Sequence, residues 1–476
     1  MRHDLVSTRV GVVGAGTMGA GIAQVAAVAG ERVLVADAVP GAAQRAIAGI
    51  REKMRAQVAK GRLSVDPDAL NLTAVDSVAG LRGCDVVIEA VIEDLAVKRA
   101  LFAELEAVVG AGTILASNTS SLSPTALAAG LAHPERLVGM HFFNPVPAMK
   151  LVEVISGLAT GPEVASAAAG LAVAWGKTVV RSAATPGFIV NRIARPFYAE
   201  AWRVQEEHAS VPENIDAVLT EGGGFRMGPF ALMDLIGHDV NEAVTRSVWA
   251  AFGYDSRFAP SLAQRALVEA GRLGRKTGHG IFPAGKAPAP SPAPPASVAV
   301  TADPGAVLSE GSAELASGAL LVRCQGVTAT ELSAGSGRPV IVMDRVLDPG
   351  QATAIAIAAS AGCPEPALAE ATGLLQAAGL DVYVIDDIPG LIVTRTVAML
   401  VNLAADTLAC QVADAEDIDT AMRLGVGYPL GPLAWARQWG VREVVTILDN
   451  LESWYRDGHY RASPLLRRAA LPGGSL

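Results

Sequence analysis

The chain has 476 residues, 51% apolar and 18% charged, which is too long for one hydrophobic core and too apolar for a disordered polymer. Its formal net charge of -9 argues against general binding to nucleic acid or to a membrane surface, while leaving room for a local basic patch. Its four cysteines (Cys84, Cys324, Cys363 and Cys410) form no CxxC pair, so no disulfide framework or zinc site is expected, and a reducing cytoplasm is the expected location.

In chain order, residues 9–13 read as a first strand and 18–29 as a helix. Residues 32–36 read as a second strand ending at Asp37, and 41–60 as a long helix. Strands are then expected at 85–90, 113–117, 137–141 and 151–155, the last (LVEVI) with one carboxylate among apolar neighbours. Short apolar runs alternating with helical patterns predict a parallel sheet with crossover helices, an α/β Rossmann-type dinucleotide-binding domain over 1–185. The uncharged stretch 10–30 imitates a signal or membrane segment, but six glycines and Gln24 speak against that reading. Residues 186–283 read as an all-α domain, and 284–300 (AGKAPAPSPAPPASVAV) as a semi-rigid linker. Beyond it, 338–343 and 380–385 read as strands separated by a helix. With no glycine-rich fingerprint there, 301–388 is expected to be a truncated Rossmann-like relic. Residues 186–237 align without gaps on 389–440 at an offset of 203, with 15 identities in 52 positions. The shared PGxIVxR and IDxxxxxGxGxxxGPxA patterns demand the same backbone turns twice, so 389–476 reads as a second copy of the helical domain.

Gly14-Ala15-Gly16-Thr17-Met18-Gly19 is a GxGxxG turn between a strand and a helix. Such a turn brings backbone amides and a helix N-terminus up to a pyrophosphate. Asp37 follows Gly19 by 18 residues, where an acid accepts the adenosine ribose hydroxyls and repels a 2′-phosphate. No arginine comes directly after it, so NAD is expected rather than NADP. Three polar features interrupt the apolar runs: Ser117-Asn118-Thr119-Ser120-Ser121, His141-Phe142-Phe143-Asn144-Pro145, and Glu153. The first two follow strands, at the edge where open α/β sheets bind ligands. Histidine suits removal of a hydroxyl proton as hydride leaves the same alcohol, and a carboxylate partner would fix its tautomer. On spacing alone, a hydrogen-bonded core histidine and a strand-edge carboxylate explain these residues at least as well. Arg45, Arg51, Lys53, Arg55, Lys60 and Arg62 face a single acid, Glu52, and make one positive stretch on an acidic protein.

GAGTMGAGIA (14–23), VIEAVIEDLAVK (87–98), SNTSSLS (117–123), GMHFFNPVPAMKLVEVI (139–155) and TPGFIVNRI (185–193) together resemble the 3-hydroxyacyl-CoA dehydrogenase family. The resemblance covers about the first 280 residues. The overall layout, ending in DIDTAMRLGVGYPLGPLAW (417–435), is similar to the long bacterial members acting on 3-hydroxyadipyl-CoA or 3-hydroxybutyryl-CoA in phenylacetate or fatty acid breakdown. The resemblance implies that His141 is the general acid/base and that Glu153 orients it. Ser120 would hydrogen-bond the substrate 3-oxygen, and Asn191 would hold the thioester end or the base. Gly14, Gly16, Thr17, Met18, Gly19 and Asp37 would bind NAD, with Glu93, Lys98 and Asn118 on the ribose-nicotinamide side. Lys53 and Lys60 would meet the acyl-CoA phosphates. Short family members pair through the helical domain, so a homodimer is implied, with no nucleic-acid or membrane partner. The second copy carries Thr394 where the first has Asn191 and no HFFNP precedes it, so no second active site is expected. A hydroxyacid dehydrogenase acting on a free acid would be expected to use a catalytic lysine instead, and a non-catalytic dinucleotide-binding protein would have no need of the intact quartet Ser120, His141, Glu153 and Asn191.

Overall fold

The computed structural model describes residues 7–283, 287–296 and 303–476. The chain divides into two compact units, Met1–Asn191 with Gln411–Gly425, and Arg192–Cys410 with Val426–Leu476. The first unit contains strands β1 (Arg9–Val13), β2 (Arg32–Ala36), β3 (Leu72–Val75), β4 (Val86–Glu89), β5 (Ile114–Ser117), β6 (Leu137–Phe142), β7 (Leu151–Ser156) and β8 (Thr178–Ala183). They form one sheet in the order β3-β2-β1-β4-β5-β6-β7-β8. Helices α1 (Thr17–Val28), α2 (Ala42–Ala59), α3 (Leu95–Val108), α4 (Pro124–Ala128) and α5 (Pro162–Ala174) connect them. Strand order reverses between β1 and β4, which opens a ligand crevice beyond their carboxyl ends.

Two of the eight strands, β3 and β8, escape the sequence reading. Each lies at a sheet edge and carries few large apolar side chains. The expectation of a parallel sheet also needs one correction: β6 and β7 are antiparallel, and the remaining pairs are parallel. The chain turns back through residues 143–150 with no crossover helix, as an antiparallel pair permits. Alternation along this pair sends Val138, Met140, Phe142, Val152 and Val154 into the core cluster that also holds α1, α2 and α5 residues. His141, Leu151 and Glu153 therefore project from the other face.

The region after Asn191 is helical as expected: α6 (Val190–Ile193), α7 (Arg195–Glu206), α8 (Pro212–Ala217), α9 (Pro229–Ile236), α10 (His238–Ala251) and α11 (Leu262–Glu269). The linker reading is met only in part. Residues 284–286 and 297–300 lie outside the described residues, and 287–296 have no regular structure but are held in place. The Ala293 amide donates to the Val382 carbonyl at 2.7 Å, and the Gln376 amide group donates to the carbonyls of Ala293 and Pro294.

After helix α12 (Pro304–Glu310) come β9 (Ser312–Glu314), β10 (Leu320–Arg323), α13 (Ala329–Ser336), β11 (Val340–Met343), β12 (Ala354–Ala359), α14 (Glu365–Ala377) and β13 (Asp381–Val384). The strands form a five-stranded sheet, β13-β12-β11-β10-β9. The two strands read from sequence are β11 and β13; the alanine-rich β12 was missed because it looks like a helix. It lies inside the sheet and is buried on both faces, where small side chains suffice. The second helical copy follows as α15 (Val393–Ala409), α16 (Ala415–Gly425), α17 (Pro432–Trp439), α18 (Val441–Tyr455) and α19 (Pro464–Ala469). In α15 every residue from Val393 to Thr407 is buried, so this helix is the core of its unit.

The internal repeat begins earlier than its sequence signal. At the same offset of 203, β7 corresponds to β12, α5 to α14 and α9 to α17, residue for residue. Positive φ recurs at Gly176 and Gly379, Phe188 and Leu391, His208 and Gln411, and Gly253 and Arg456. Strand directions also recur: β10 is parallel to β11, β11 antiparallel to β12, and β12 parallel to β13. The second half thus repeats the β5-to-β8 part of the first sheet together with its helices.

Candidate active site

Antiparallel pairing of β6 and β7 puts His141 and Glu153 directly opposite each other. His141 Nδ1 lies 2.6 Å from Glu153 Oε2, with Glu153 fully buried and His141 6% exposed. The other carboxylate oxygen accepts the backbone amides of Ile189 (3.0 Å) and Val190 (3.1 Å) at the start of α6. An ionised carboxylate only accepts hydrogen bonds, so Nδ1 carries the hydrogen and Nε2 keeps a lone pair. Phe143 packs on the imidazole at 4.5 Å between centroids, and Phe188 lies at 6.0 Å. The pair can take a proton at Nε2 while the carboxylate stabilises the imidazolium that results.

The polar loop after β5 is fastened to this pair. Asn118 Oδ1 accepts the Phe142 amide at 2.9 Å, and Asn191 Nδ2 donates to the Ser120 carbonyl at 3.3 Å. Glu93 Oε1 accepts from Thr119 Oγ1, the amides of Ser120 and Ser121, and Ser121 Oγ. Burial pushes the Glu93 carboxyl up, but Lys98 together with the Thr119 and Ser121 hydroxyls outweighs it and brings it down to about 2. Lys98 is 1% exposed, and its ammonium bridges Glu89 (2.6 Å) and Glu93 (3.1 Å). It therefore lines no open cavity and acts on the loop through Glu93. Glu89, fully buried at the end of β4, also accepts Ser117 Oγ and the Val91 amide at 2.7 Å each. The sequence reading missed Glu89; the available signal was a carboxylate ending an otherwise apolar strand (VVIE).

A cleft of about 650 Å³ opens at the ends of β1, β2, β3 and β4, lined by Gly14, Gly16, Asp37, Asp76, Ser77 and Ala90 among others. Gly14 has φ +101°, and a Cβ there would stand 2.5 Å from the Ala90 carbonyl oxygen. A Cβ on Gly19 would meet the Gly14 carbonyl oxygen at 1.8 Å, so helix and turn touch only because both residues are glycine. A Cβ on Gly16 meets nothing within 4 Å, which leaves room beside the N-terminus of α1 for a ligand. Thr17 and Met18 form the first turn of that helix. Asp37 accepts the Ala15 amide (2.7 Å) and the Val39 amide (2.8 Å), which holds the glycine turn and fixes the carboxylate at the cleft rim. Asp76, Ser77 and Glu104 also line this cleft and were not singled out from sequence; β3, which ends beside Asp76, was not recognised, and Glu104 lies on α3. These residues fit a dinucleotide without a 2′-phosphate: the cleft holds three carboxylates and no arginine or lysine.

Lys53 and Lys60 are exposed, Lys53 on α2 and Lys60 capping its end, and α2 packs against β3 at the sheet edge. The structure does not bring them to the His-Glu pair: β3 and β6 are five strand spacings apart, about 24 Å.

The second half offers no equivalent pair. Asp344 stands where His141 stands, and Ala356 where Glu153 stands. The buried Asp344 carboxylate accepts the amides of Ile392, Val393 and Thr394 and the Thr394 hydroxyl, so it ties down the helix start as Glu153 does in the first half. Burial of Asp344 raises its pKa, against the opposing pull of these donors.

Residues 9–185 match the sequence profile of the 3-hydroxyacyl-CoA dehydrogenase NAD binding domain. Residues 187–283 and again 390–473 match the C-terminal domain of the same family. Residues 321–389 match the reduced Rossmann-fold domain of 3-hydroxybutyryl-CoA dehydrogenase. The chain is 47% identical to the 3-hydroxyadipyl-CoA dehydrogenase of Escherichia coli strain K12 over 467 residues, 97% of each chain. It is 38% identical to the mitochondrial hydroxyacyl-coenzyme A dehydrogenase of Sus scrofa over 57% of this chain and 90% of that one. A crystal structure of 3-hydroxybutyryl-CoA dehydrogenase from Escherichia coli K12 superposes with a TM-score of 0.91 at 46% identity, covering 98% of this chain and 99% of that one. With a glycine-turn cleft, a paired His141 and Glu153, and relatives matched from end to end, the chain belongs to the 3-hydroxyacyl-CoA dehydrogenase family.

Proposed function

We propose that the protein catalyses the NAD-dependent interconversion of (S)-3-hydroxyacyl-CoA and 3-oxoacyl-CoA at His141. The observation that carries this reading is the 2.6 Å contact between His141 Nδ1 and a fully buried Glu153 whose other oxygen is saturated by two amides. NAD, when bound, accepts the hydride from carbon 3. His141 Nε2 takes the hydroxyl proton, and Glu153 remains ionised and offsets the imidazolium charge. Ser120 hydrogen-bonds the 3-oxygen, and Asn191 holds the thioester end or the base. Gly14, Gly16, Thr17, Met18, Gly19 and Asp37 hold the cofactor, while Asn118, Glu93 and Lys98 support its nicotinamide side. Lys53 and Lys60 attract the phosphates of coenzyme A. In the reverse direction His141 supplies the proton.

The acyl group we propose is 3-hydroxyadipyl or 3-hydroxybutyryl, in phenylacetate or fatty acid breakdown, by analogy with the Escherichia coli relatives. The domain organisation we propose is 1–185 (Rossmann-type), 186–283 (helical), 284–300 (linker), 301–388 (truncated Rossmann-like) and 389–476 (second helical copy). Homodimer formation is proposed as well, and mass measurement in solution tests it. No helix among the described residues is long and apolar enough to cross a membrane. All four cysteines are free thiols, which supports a cytoplasmic location.

The test follows NADH consumption with acetoacetyl-CoA and with 3-oxoadipyl-CoA, in the parent and in His141→Gln. The variant is expected to lose at least about 10²-fold in turnover, the scale of an acid-base residue. Equal rates in both proteins would remove His141 from the chemistry.

A further inference from the structure

The segment Gln411–Gly425 belongs by sequence to the second helical copy, yet it is part of the first unit. Helix α16 packs on β7 and β8. Strand β8 is a sheet edge, and its outward amides are taken up by this segment: Ala183 donates to the Val412 carbonyl (2.7 Å) and Arg181 to Asp417 Oδ2 (2.8 Å). The other half shows the same exchange at the same offset. Asp386 donates to the carbonyl of Ala209 at 3.0 Å, within the second unit. The β8 edge is thus covered by a segment of the second copy, and the chain just beyond β13 meets the corresponding turn of the first copy.

The last residue of α16 reaches the surroundings of the His-Glu pair. A Cβ on Gly425 would meet Leu151 Cδ2 at 2.8 Å, Val190 Cγ2 at 3.0 Å and Phe143 Cε1 at 3.6 Å. Each neighbour is one step from the pair. Leu151 shares the strand face of Glu153, two residues away. The Val190 amide donates to Glu153 Oε1, and the Phe143 ring lies on the imidazole. We infer that Gly425, supplied by the second helical copy, is a positioning residue for the His141-Glu153 pair, so that the duplicated half takes part in the reaction without owning a reactive group. This inference rests on the activity proposed above, and its test therefore includes a readout that needs no turnover.

Three full-length variants decide it: Gly425→Ala, Gly425→Val and, as a control, Gly222→Val. Gly222 is the counterpart of Gly425 in the repeat; a Cβ there would press on the Ala354 carbonyl oxygen at 2.6 Å, beside a sheet that has no His-Glu pair. In Gly425→Val, kcat for 3-oxoacyl-CoA reduction should fall by at least about tenfold with KM for NADH unchanged. The low-field Nδ1 proton resonance of His141, assigned by its loss in His141→Gln, should move upfield in the ligand-free protein as the contact with Glu153 lengthens. In Gly425→Ala the methyl is accommodated by small shifts of Leu151 and Val190, and kcat should stay within about threefold of the parent. Gly222→Val should lower the melting temperature while leaving kcat and the His141 resonance in place. An unshifted resonance in Gly425→Val, or the same shift in Gly222→Val, would overturn the inference. If the parent turns over neither thioester, the proposed activity fails, while the resonance still decides the role of Gly425.

Discussion

Replacing Glu153 by glutamine separates the two jobs of one carboxylate. Oε1 accepts the Ile189 and Val190 amides, and Oε2 meets His141 Nδ1. Glutamine keeps a carbonyl oxygen for the two amides and puts an NH2 group against the imidazole. That group donates, so Nδ1 must become the acceptor and the ring hydrogen moves to Nε2, the atom proposed to take the hydroxyl proton. The histidine is then held in the wrong tautomer with no charge to stabilise its protonated form. A loss of about 10³-fold in kcat is expected, equivalent to about 4 kcal/mol of barrier. Stability should change by less than about 1 kcal/mol because the amides stay satisfied. Glu153→Ala leaves both buried amides without an acceptor and should cost about 2–6 kcal/mol in addition. The assay pairs NADH consumption on acetoacetyl-CoA with a urea titration of each variant, and with fluorescence titration of NADH to show that cofactor binding persists. If Glu153→Gln kept kcat within tenfold of the parent, orientation of the imidazole by the carboxylate would be refuted.

Asp37→Ala removes the proposed ribose acceptor and loosens the glycine turn through the Ala15 amide, so the Kd for NADH should rise by about 10- to 100-fold, read by fluorescence titration. Lys98→Met leaves Glu89 buried without its cation and should destabilise the fold by about 3–5 kcal/mol in urea. Glu93 titrates at about 2 when folded against an ordinary 4.5, so its contribution is complete above about pH 4.5 and is lost as the pH falls towards 2. Its side chain is 35% exposed, and solvent screening reduces that contribution to about 1–2 kcal/mol. The urea midpoint of Glu93→Gln should therefore depend less on pH below 4.5 than that of the parent.

Legibility in the sequence followed side-chain chemistry. Strands such as RVGVV and RVLVA announced themselves because, after the exposed leading arginine, both faces are largely buried and every position is apolar or small. The alanine-rich β12 and the edge strand β3 did not, since small or polar residues carry no period that separates strand from helix. His141 and Glu153 were visible as residues, and the family resemblance implied that Glu153 orients His141, but their spacing alone left the meeting undecided. It depends on the one antiparallel pairing in the first sheet, and strand direction leaves no mark on composition. Glu89 went unnoticed for a similar reason: its partners Lys98 and Ser117 come from elements 9 and 28 residues away. The duplication was detectable only from Pro186 onward, where glycine and Gly-Pro turns preserve identity. Upstream of it, the two halves share backbone path while their side chains have diverged.

Asp344 also bears on what can be engineered in this chain. Placing a His-Glu pair in the second half takes only two substitutions, Asp344→His and Ala356→Glu, and the introduced glutamate would inherit the helix-start amides now tied to Asp344. Such a variant would still be idle. The five strands there correspond to β5 through β8 plus the short β9, and no glycine turn among the described residues of that sheet offers a phosphate cradle. Calorimetry should accordingly count one NADH per polypeptide, before and after the graft.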